Sequence, residues 1–379
     1  MIFYKSNYFN LHQLYVMRPL VILIYSMLLH YYSFCQDDNT PKYSNEFLQI
    51  GVSARSFALG LSVVSHVNDV TAAYWNPAGL NSIAKSNKRN SMEIGAMHSG
   101  YFGGLSNYDY VGAAIGFRKD EKLGLSIIRF SVDLIPDTRF LFDANGVIDY
   151  GQIRFFSSTD YAFLLSYARK IKQLSDISFG VSTKIIHRVA GDFAESWGFG
   201  FDVGVQKKLG SWQFGISARD IFTTFNSWSF NEEALSSIFS KTQNTIPVNS
   251  IELTLPRVIF GISKMYWIGR NLSILGSLDI NTTFDGRRNT LINTSVVSLD
   301  PYGGIELGYH KVFFLRGGVN NLQQQIDFDR STYWRVQPSA GVGLKIKEIE
   351  IDYALTDVGN TSDALFSHIF SLIITFDVK

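Results

Sequence analysis

The run Glu348-Ile349-Glu350-Ile351-Asp352-Tyr353-Ala354-Leu355 alternates strictly between polar and apolar residues, and Trp212-Gln213-Phe214-Gly215-Ile216-Ser217-Ala218-Arg219 does the same. Successive side chains of a strand point to opposite faces, so each run makes one greasy face and one bearing charge, Ser and Gly. In a soluble sandwich the polar face would lie outside. In a membrane barrel the greasy face meets lipid and the polar face meets a lumen. Composition favours the barrel. Aromatic residues make up 15% of the chain and charged residues only 18%, which is aromatic-rich and charge-poor for a soluble protein and suits a barrel with aromatic girdles at both interfaces.

About fourteen strands are expected, centred near Glu93, Val111, Leu125, Phe163, Phe179, Phe201, Phe214, Ile259, Ile274, Leu307, Leu315, Gly341, Ile351 and Ile373. Their connections sort into two kinds. Tight turns are read at Arg118-Lys119-Asp120-Glu121, Leu209-Gly210, Gly269-Arg270, His310-Lys311 and Lys345-Ile346-Lys347, and long loops over 131–158, 220–256, 281–301 and 320–334. Short turns at one end and long loops at the other, with an even number of antiparallel strands, is the layout of outer-membrane barrels. Phe199, Phe201, Val203 and Val205 are expected to face outward, and Gly200, Asp202, Gly204 and Gln206 inward. Lys184, Arg219, Asp279, Glu306 and Arg316 join the inward set. Charges of both signs on that face suggest cross-lumen ion pairs rather than a selective ring.

The chain begins with a basic and then apolar stretch: Arg18, Leu20-Val21-Ile22-Leu23-Ile24 and Met27-Leu28-Leu29, followed by polar Gln36-Asp37-Asp38-Asn39. This reads as a signal peptide over 1–36, with Met1 or Met17 as the start and cleavage near Gln36. The apolar run is too short to span a bilayer, which takes roughly 20 residues. Cys35 is the single cysteine, so no internal disulfide exists. Tyr32-Ser33-Phe34 before it lacks the small residues of a lipidation site, so Cys35 is expected to leave with the signal. An exported chain of amphipathic strands points to an outer membrane.

Residues 37–90 read as an N-terminal segment with a lumenal hatch, and 91–379 as the barrel. Asp69 can cap a short helix over Val70 to Tyr74, Asn76-Pro77 ends it, and Gly79 supplies a turn. The runs from Phe47 to Gly60 and from Val67 to Leu80 closely resemble the N-terminal signature of the PorV/PorQ family, which belongs to the type IX secretion system of Bacteroidota. Asn76-Pro77-Ala78 resembles the hatch motif shared with FadL-type hydrophobic-compound transporters. Ala54-Arg55-Ser56-Phe57-Ala58-Leu59-Gly60 and Trp75 favour the PorV/PorQ side. The tracts Asp143-Ala144-Asn145-Gly146 and Ile246-Pro247-Val248-Asn249-Ser250 also look like those of PorV-like paralogues. The resemblance implies a FadL-like barrel of fourteen strands, with a hatch motif at Trp75, Asn76, Pro77, Ala78 and Gly79.

It also implies a non-catalytic role, as a carrier or anchor. The expected partners are type IX translocon or attachment proteins and secreted substrates with C-terminal signal domains, beside outer-membrane lipid. Phe222, Phe225, Trp228 and Phe230 in the longest loop are the partner-binding candidates, since aromatic anchors are enriched at binding hot spots. The alternative is FadL-like transport of small hydrophobic compounds through a pocket near Phe57, Leu59, Tyr74 and Trp75. No enzyme motif emerges. The seven histidines are scattered without a His-Glu-x-x-His. Gly180-Val181-Ser182 and Gly215-Ile216-Ser217 lack the closing Gly of a nucleophile elbow, and Gly198-Phe199-Gly200 opens no helix. Ser182 and His187 fall on opposite faces of one strand. Glu232-Glu233 alone is weak support for calcium, so neither cofactor nor metal is expected. A net charge of +1, with no clustered basic stripe, speaks against nucleic acid.

Overall fold

The computed structural model describes residues 43–83, 91–118, 120–142, 146–174, 177–242, 245, 250–326, 330–358 and 366–377. The expected signal segment lies outside the described residues, as do Asp143–Asn145 and Ile246–Asn249 of the two tracts. Strands run in chain order as β1 (Ser91–Tyr101), β2 (Ser106–Arg118), β3 (Glu121–Asp137), β4 (Arg154–Ile171), β5 (Ile177–Ala190), β6 (Ala194–Leu209), β7 (Trp212–Arg219), β8 (Thr224–Phe230), β9 (Ser250–Thr254), β10 (Arg257–Ile268), β11 (Leu272–Thr283), β12 (Ile292–Asn293), β13 (Ser298–Tyr309), β14 (Phe313–Ile326), β15 (Thr332–Ile346), β16 (Ile349–Thr356) and β17 (Ser367–Asp377). All pairings are antiparallel, and β1 closes the sheet by pairing with β17, His98 opposite Phe370. β7 with β8, and β9 with β10, are single spans with a kink, and β12 is a two-residue strand within a loop. The wall therefore has fourteen spans, and each of the fourteen expected centres falls in its own span, in order. Closure matters because lipid offers no partner to an unpaired strand edge.

The two faces follow the alternation. Val111, Leu125, Leu165, Val181, Ile216, Phe260, Leu307 and Ile351 are exposed on the outside, an apolar surface that suits hydrocarbon as its solvent. No helix among the described residues is long and apolar enough to cross a membrane. On one side of the barrel the apolar band stops at a row of directly opposed outward residues: His98, Asp109, Arg129, Tyr161, His187 and Trp197. His98 Nδ1 lies 2.7 Å from Asp109, Arg129 lies 3.2 Å from it, and the His187 ring stacks on Trp197 at 4.1 Å. Such polar and aromatic groups belong at a membrane–water boundary. Gly200, Asp202, Gly204 and Gln206 are buried inward, as are Lys184, Arg219, Asp279, Glu306 and Arg316.

The expected long loops are partly wall. β3 has 17 residues and β4 has 18, whereas a tilted span needs roughly 9–11. Their loop is thus 138–153 rather than 131–158. The segment 220–256 holds β8, a helix (Glu232–Thr242) and β9. In the same way β14 runs on to Ile326, and β13 begins at Ser298. Above the lipid both faces of a strand see water, so the alternation fades while the backbone groups still need partners.

Candidate functional site

Residues 43–83 lie inside the barrel and form the candidate site, a hatch fastened to the wall. Its short pieces are a 3-10 turn at Glu46–Gln49, a helix at Ala54–Ala58, a helix at Ala72–Trp75 and a 3-10 helix at Pro77–Ser82. The Trp75-to-Gly79 motif is its most tightly held part, and all five residues are buried. Pro77 has no N–H to continue the preceding helix. The chain accordingly turns extended at Asn76 (φ −159°), and the Asn76 side chain accepts from Ala78 N–H at 3.2 Å to cap the next helix. The Asn76 amide nitrogen donates to Val64 O within the hatch (3.0 Å), to Val205 O on β6 (3.1 Å) and to Ile216 O on β7 (3.3 Å). One fully buried amide thus joins two hatch segments to two wall strands. Trp75 Nε1 donates to Val52 O at 2.9 Å, and the Tyr74 hydroxyl to Leu48 O at 2.7 Å. These bonds let large aromatics be buried with their polar ends satisfied.

The structure differs from the sequence reading at two hatch positions. Asp69 does not cap the Ala72–Trp75 helix, whose N-cap is Thr71; its Oδ1 instead accepts from the Thr71 N–H and hydroxyl in a local turn. Gly79 is not there for a left-handed turn, since its φ is not positive. A Cβ at Gly79 would run into the Val67 carbonyl, so close backbone approach is what excludes a side chain.

Wall and hatch are matched by side chains that meet hatch amides and by glycines that let backbone approach. Asp279 accepts from Val64 N–H (2.9 Å), Glu93 from Val70 N–H (2.5 Å) and Ser371 from Ala54 N–H (2.6 Å). Arg219 donates to Tyr74 O at 2.8 Å, and its guanidinium lies 4.2 Å from the centre of the Tyr74 ring. A Cβ at Gly180, Gly204, Gly215, Gly304, Gly318 or Gly341 would collide with hatch atoms: Pro77, Asn76, Val64, Leu59, Gly60 and Ala58 in turn. This collar was not singled out in the sequence. Its signal there is glycine recurring at inward positions of strands that otherwise carry polar residues.

The lumenal charges pair with neighbours rather than across an open lumen, because the hatch fills the space. Lys184 bridges Asp202 (2.8 Å) and Asp220 (2.6 Å), and Asp220 N–H also donates to Asp202 at 2.8 Å. This buried trio pins the kink between β7 and β8, where Asp220 and Thr223 have positive φ. Arg316 contacts both Glu306 (2.7 Å) and Asp352, and Glu306 also receives hatch residue Arg55 at 3.0 Å. The charges of these two clusters thereby find opposite partners, without which their burial would be costly. On the hatch, burial and then the Arg55 charge push His66 down to about 3.

The four loop aromatics prove to be split between two faces. Phe222 and Phe225 lie on the outward side, Phe222 64% exposed and edge-on to Phe201 at 6.1 Å, and Phe225 opposite Phe199. Trp228 and Phe230 have the inward parity of buried Thr224 and Asn226. Trp228 Nε1 donates to Glu252 at 2.7 Å, under the Arg188 guanidinium. They form no single patch because β8 is a strand, and a strand alternates. A more exposed apolar group stands on the 138–153 loop and its flank: Phe140, Phe142, Tyr150 and Phe155. Ser182 is buried inward, while His187 stacks outside on Trp197, so the two are kept apart by the wall. No metal-binding cluster occurs among the described residues.

The ladder between β13 and β14 ends at Gly303 opposite Val319. Beyond it, Ser298–Tyr302 pair only towards β11 and β12, and Asn320–Ile326 only towards β15, across an irregularity between Asn320 and Gln323. The ladder is interrupted there as a notch towards the long-loop end, bridged by the Leu322 N–H donating to the Asp300 carboxylate. The Leu59–Gly60 turn of the hatch packs against Gly318 and Val319 at its apex. Asn289 reaches from the preceding loop to Gln324 O at 2.9 Å and straps the upper part.

No family model and no curated protein matches this sequence. Solved structures do resemble the fold. The Pseudomonas putida toluene transporter TodX superposes with a TM-score of 0.52 at 12% identity, over 87% of this chain and 99% of its own. The CymD monoaromatic hydrocarbon channel gives 0.50 at 10% identity, over 87% and 98%. A Pseudomonas aeruginosa FadL homologue gives 0.48 at 12%, over 86% and 98%. At such identity the likeness speaks for fold: a closed, fourteen-stranded, antiparallel barrel of the FadL-like kind, an architecture of outer-membrane proteins. TodX and CymD are named as a transporter and a channel.

Proposed function

We propose that this protein is a hatch-gated outer-membrane channel for small hydrophobic compounds. The observation that carries the reading is the notch between β13 and β14 with a hatch turn seated at its apex. A hatch shift there would join the lumen to the lipid-facing side through a wall already free of ladder bonds. An apolar solute leaving at the apex of the notch, beside outward Val319 and Ile305, meets the edge of the apolar band rather than the open end of the barrel. The names of the structural neighbours, a toluene transporter and a monoaromatic hydrocarbon channel, support the same substrate class. Phe57, Leu59, Tyr74 and Trp75 are buried in the hatch core, so in this state they pack the gate shut. The test is uptake of radiolabelled toluene by cells with and without the protein, and with a disulfide tying hatch to wall. Uptake that is equal in all three removes the reading.

A second reading is favoured by the resemblance of residues 47–80 and by the exposed aromatics of the 138–153 loop. In it the barrel is a PorV/PorQ-like component of type IX secretion that binds substrate or surface proteins as carrier or anchor, after export by its signal peptide. Affinity capture from native outer membranes separates the two. Co-purification of translocon components or proteins with C-terminal signal domains favours the second, and a bound apolar compound the first.

A further inference from the structure

The notch and hatch core leave one feature unused, a cavity of about 470 Å³ at the short-turn end of the barrel. Hatch residues Arg55 and His66 lie on its lining, and Lys207, Lys208 and Trp267 come from the wall beside the turns after β6 and β10. Among the described residues the lining includes four cationic side chains, Lys170 being the other, and neither Asp nor Glu. Arg55 is held by Glu306 at 3.0 Å. Lys207 and Lys208 have no ion pair among the described residues. Glu306, Glu350 and Asp69, the carboxylates whose charge acts on Arg55, are not on the lining.

A second observation lies at the hatch side of the same cavity. His66 is only 5% exposed, and its Nε2 is buried without any hydrogen-bond partner. An unmet buried ring nitrogen costs free energy unless a ligand or water meets it. Its other nitrogen is 3.5 Å from Ser65 Oγ, too long a contact to fix the tautomer. Nε2 is thus left unmet on a side chain that borders the cavity.

We propose that this vestibule binds a small oxyanion, a carboxylate or phosphate group of a free solute reaching the barrel from its short-turn side. Lys207 and Lys208 draw the anion to the rim, and the imidazole of His66 donates to it at the inner end. An ammonium-lined concavity with no opposing carboxylate on its walls concentrates negative charge. Hydrogen bonds to a charged partner are the stronger ones. The site is independent of whether the barrel carries hydrocarbons or proteins.

Isothermal titration calorimetry on the full barrel in non-ionic detergent tests this, with inorganic phosphate in one arm and succinate in the other. Saturable binding in either arm that weakens with added salt is expected, and the arm that binds identifies the oxyanion. The double variant Lys207→Gln/Lys208→Gln, at the rim and outside the hatch contacts, should weaken it by about tenfold, as expected for lost charge-assisted bonds. Arg270→Gln, in the turn after β10 but off the lining, should leave it unchanged. Absence of saturable binding in both arms, or equal losses in the lysine and Arg270 variants, would overturn the site.

Discussion

The hatch and the outer extension at β8 each carry a compact set of aromatics, and the sequence makes the two look alike. Their surroundings differ completely. Tyr74 and Trp75 are buried, each spends its polar atom on a hatch carbonyl, and Arg219 covers both rings. Phe222, in the kink before β8, and Phe225, opposite Phe199, lie outside the wall, while Trp228 turns inward to Glu252. The difference teaches that an aromatic cluster is a property of the face it lands on. Inside the barrel every direction is protein, so neighbours in sequence pack as one unit. On a strand, neighbours in sequence are sent to opposite solvents.

The largest expected effect comes from breaking the glycine collar. Gly180→Leu or Gly318→Leu places a side chain into hatch backbone, and overpacking of this kind costs about 1–3 kcal/mol or more. The hatch should become open to protease and the barrel should conduct in planar bilayers. Gly276→Leu, where a Cβ would meet nothing within 4 Å, should stay sealed; a leak there would show that the collar is not special. Next in size is Asn76→Ala, which removes the donor shared by the carbonyls of Val64, Val205 and Ile216, Val64 O keeping its bond from Gln206, at a cost of about 1–3 kcal/mol. Amide exchange near Val64 and Ala78 should speed up while heat-modifiable barrel migration on gels stays as it is. Equal loss of both would mean that hatch and wall fold as one unit.

A smaller effect is expected from pH. His66 is held neutral in the hatch, with a pKa near 3 against an ordinary 6.5. An unfolded or undocked hatch binds that proton more readily. Docking stability is therefore fully present above about pH 6.5 and falls as pH drops towards 3. Hatch amide exchange at pH 7 and pH 4.5, corrected for intrinsic rates, should show the loosening, and His66→Gln should reduce it. The smallest effect is predicted for Phe222→Ala with Phe225→Ala, whose outward side chains touch no hatch atom. Changes within about 0.5 kcal/mol in barrel stability are expected. A large drop in partner capture by this pair would move the comparison towards the protein-binding reading.

What the sequence determined was the wall. Strict alternation placed all fourteen spans in order and sent Lys184, Arg219, Asp279, Glu306 and Arg316 inward, because a period of two is local and needs no knowledge of distant partners. Asn76-Pro77 was likewise legible as a break, since proline acts through its own backbone. Tertiary structure alone decided where the wall gives way and what fills it. The end of the β13–β14 ladder, the Asn76 bonds to β6 and β7, and the partners of Lys184 all join residues far apart in the chain. So does the collar: Gly180 and Gly318 read as weak points of their strands until the hatch backbone is seen against them. No local pattern encodes such pairs, because the free energy that selects them comes from packing one segment against another.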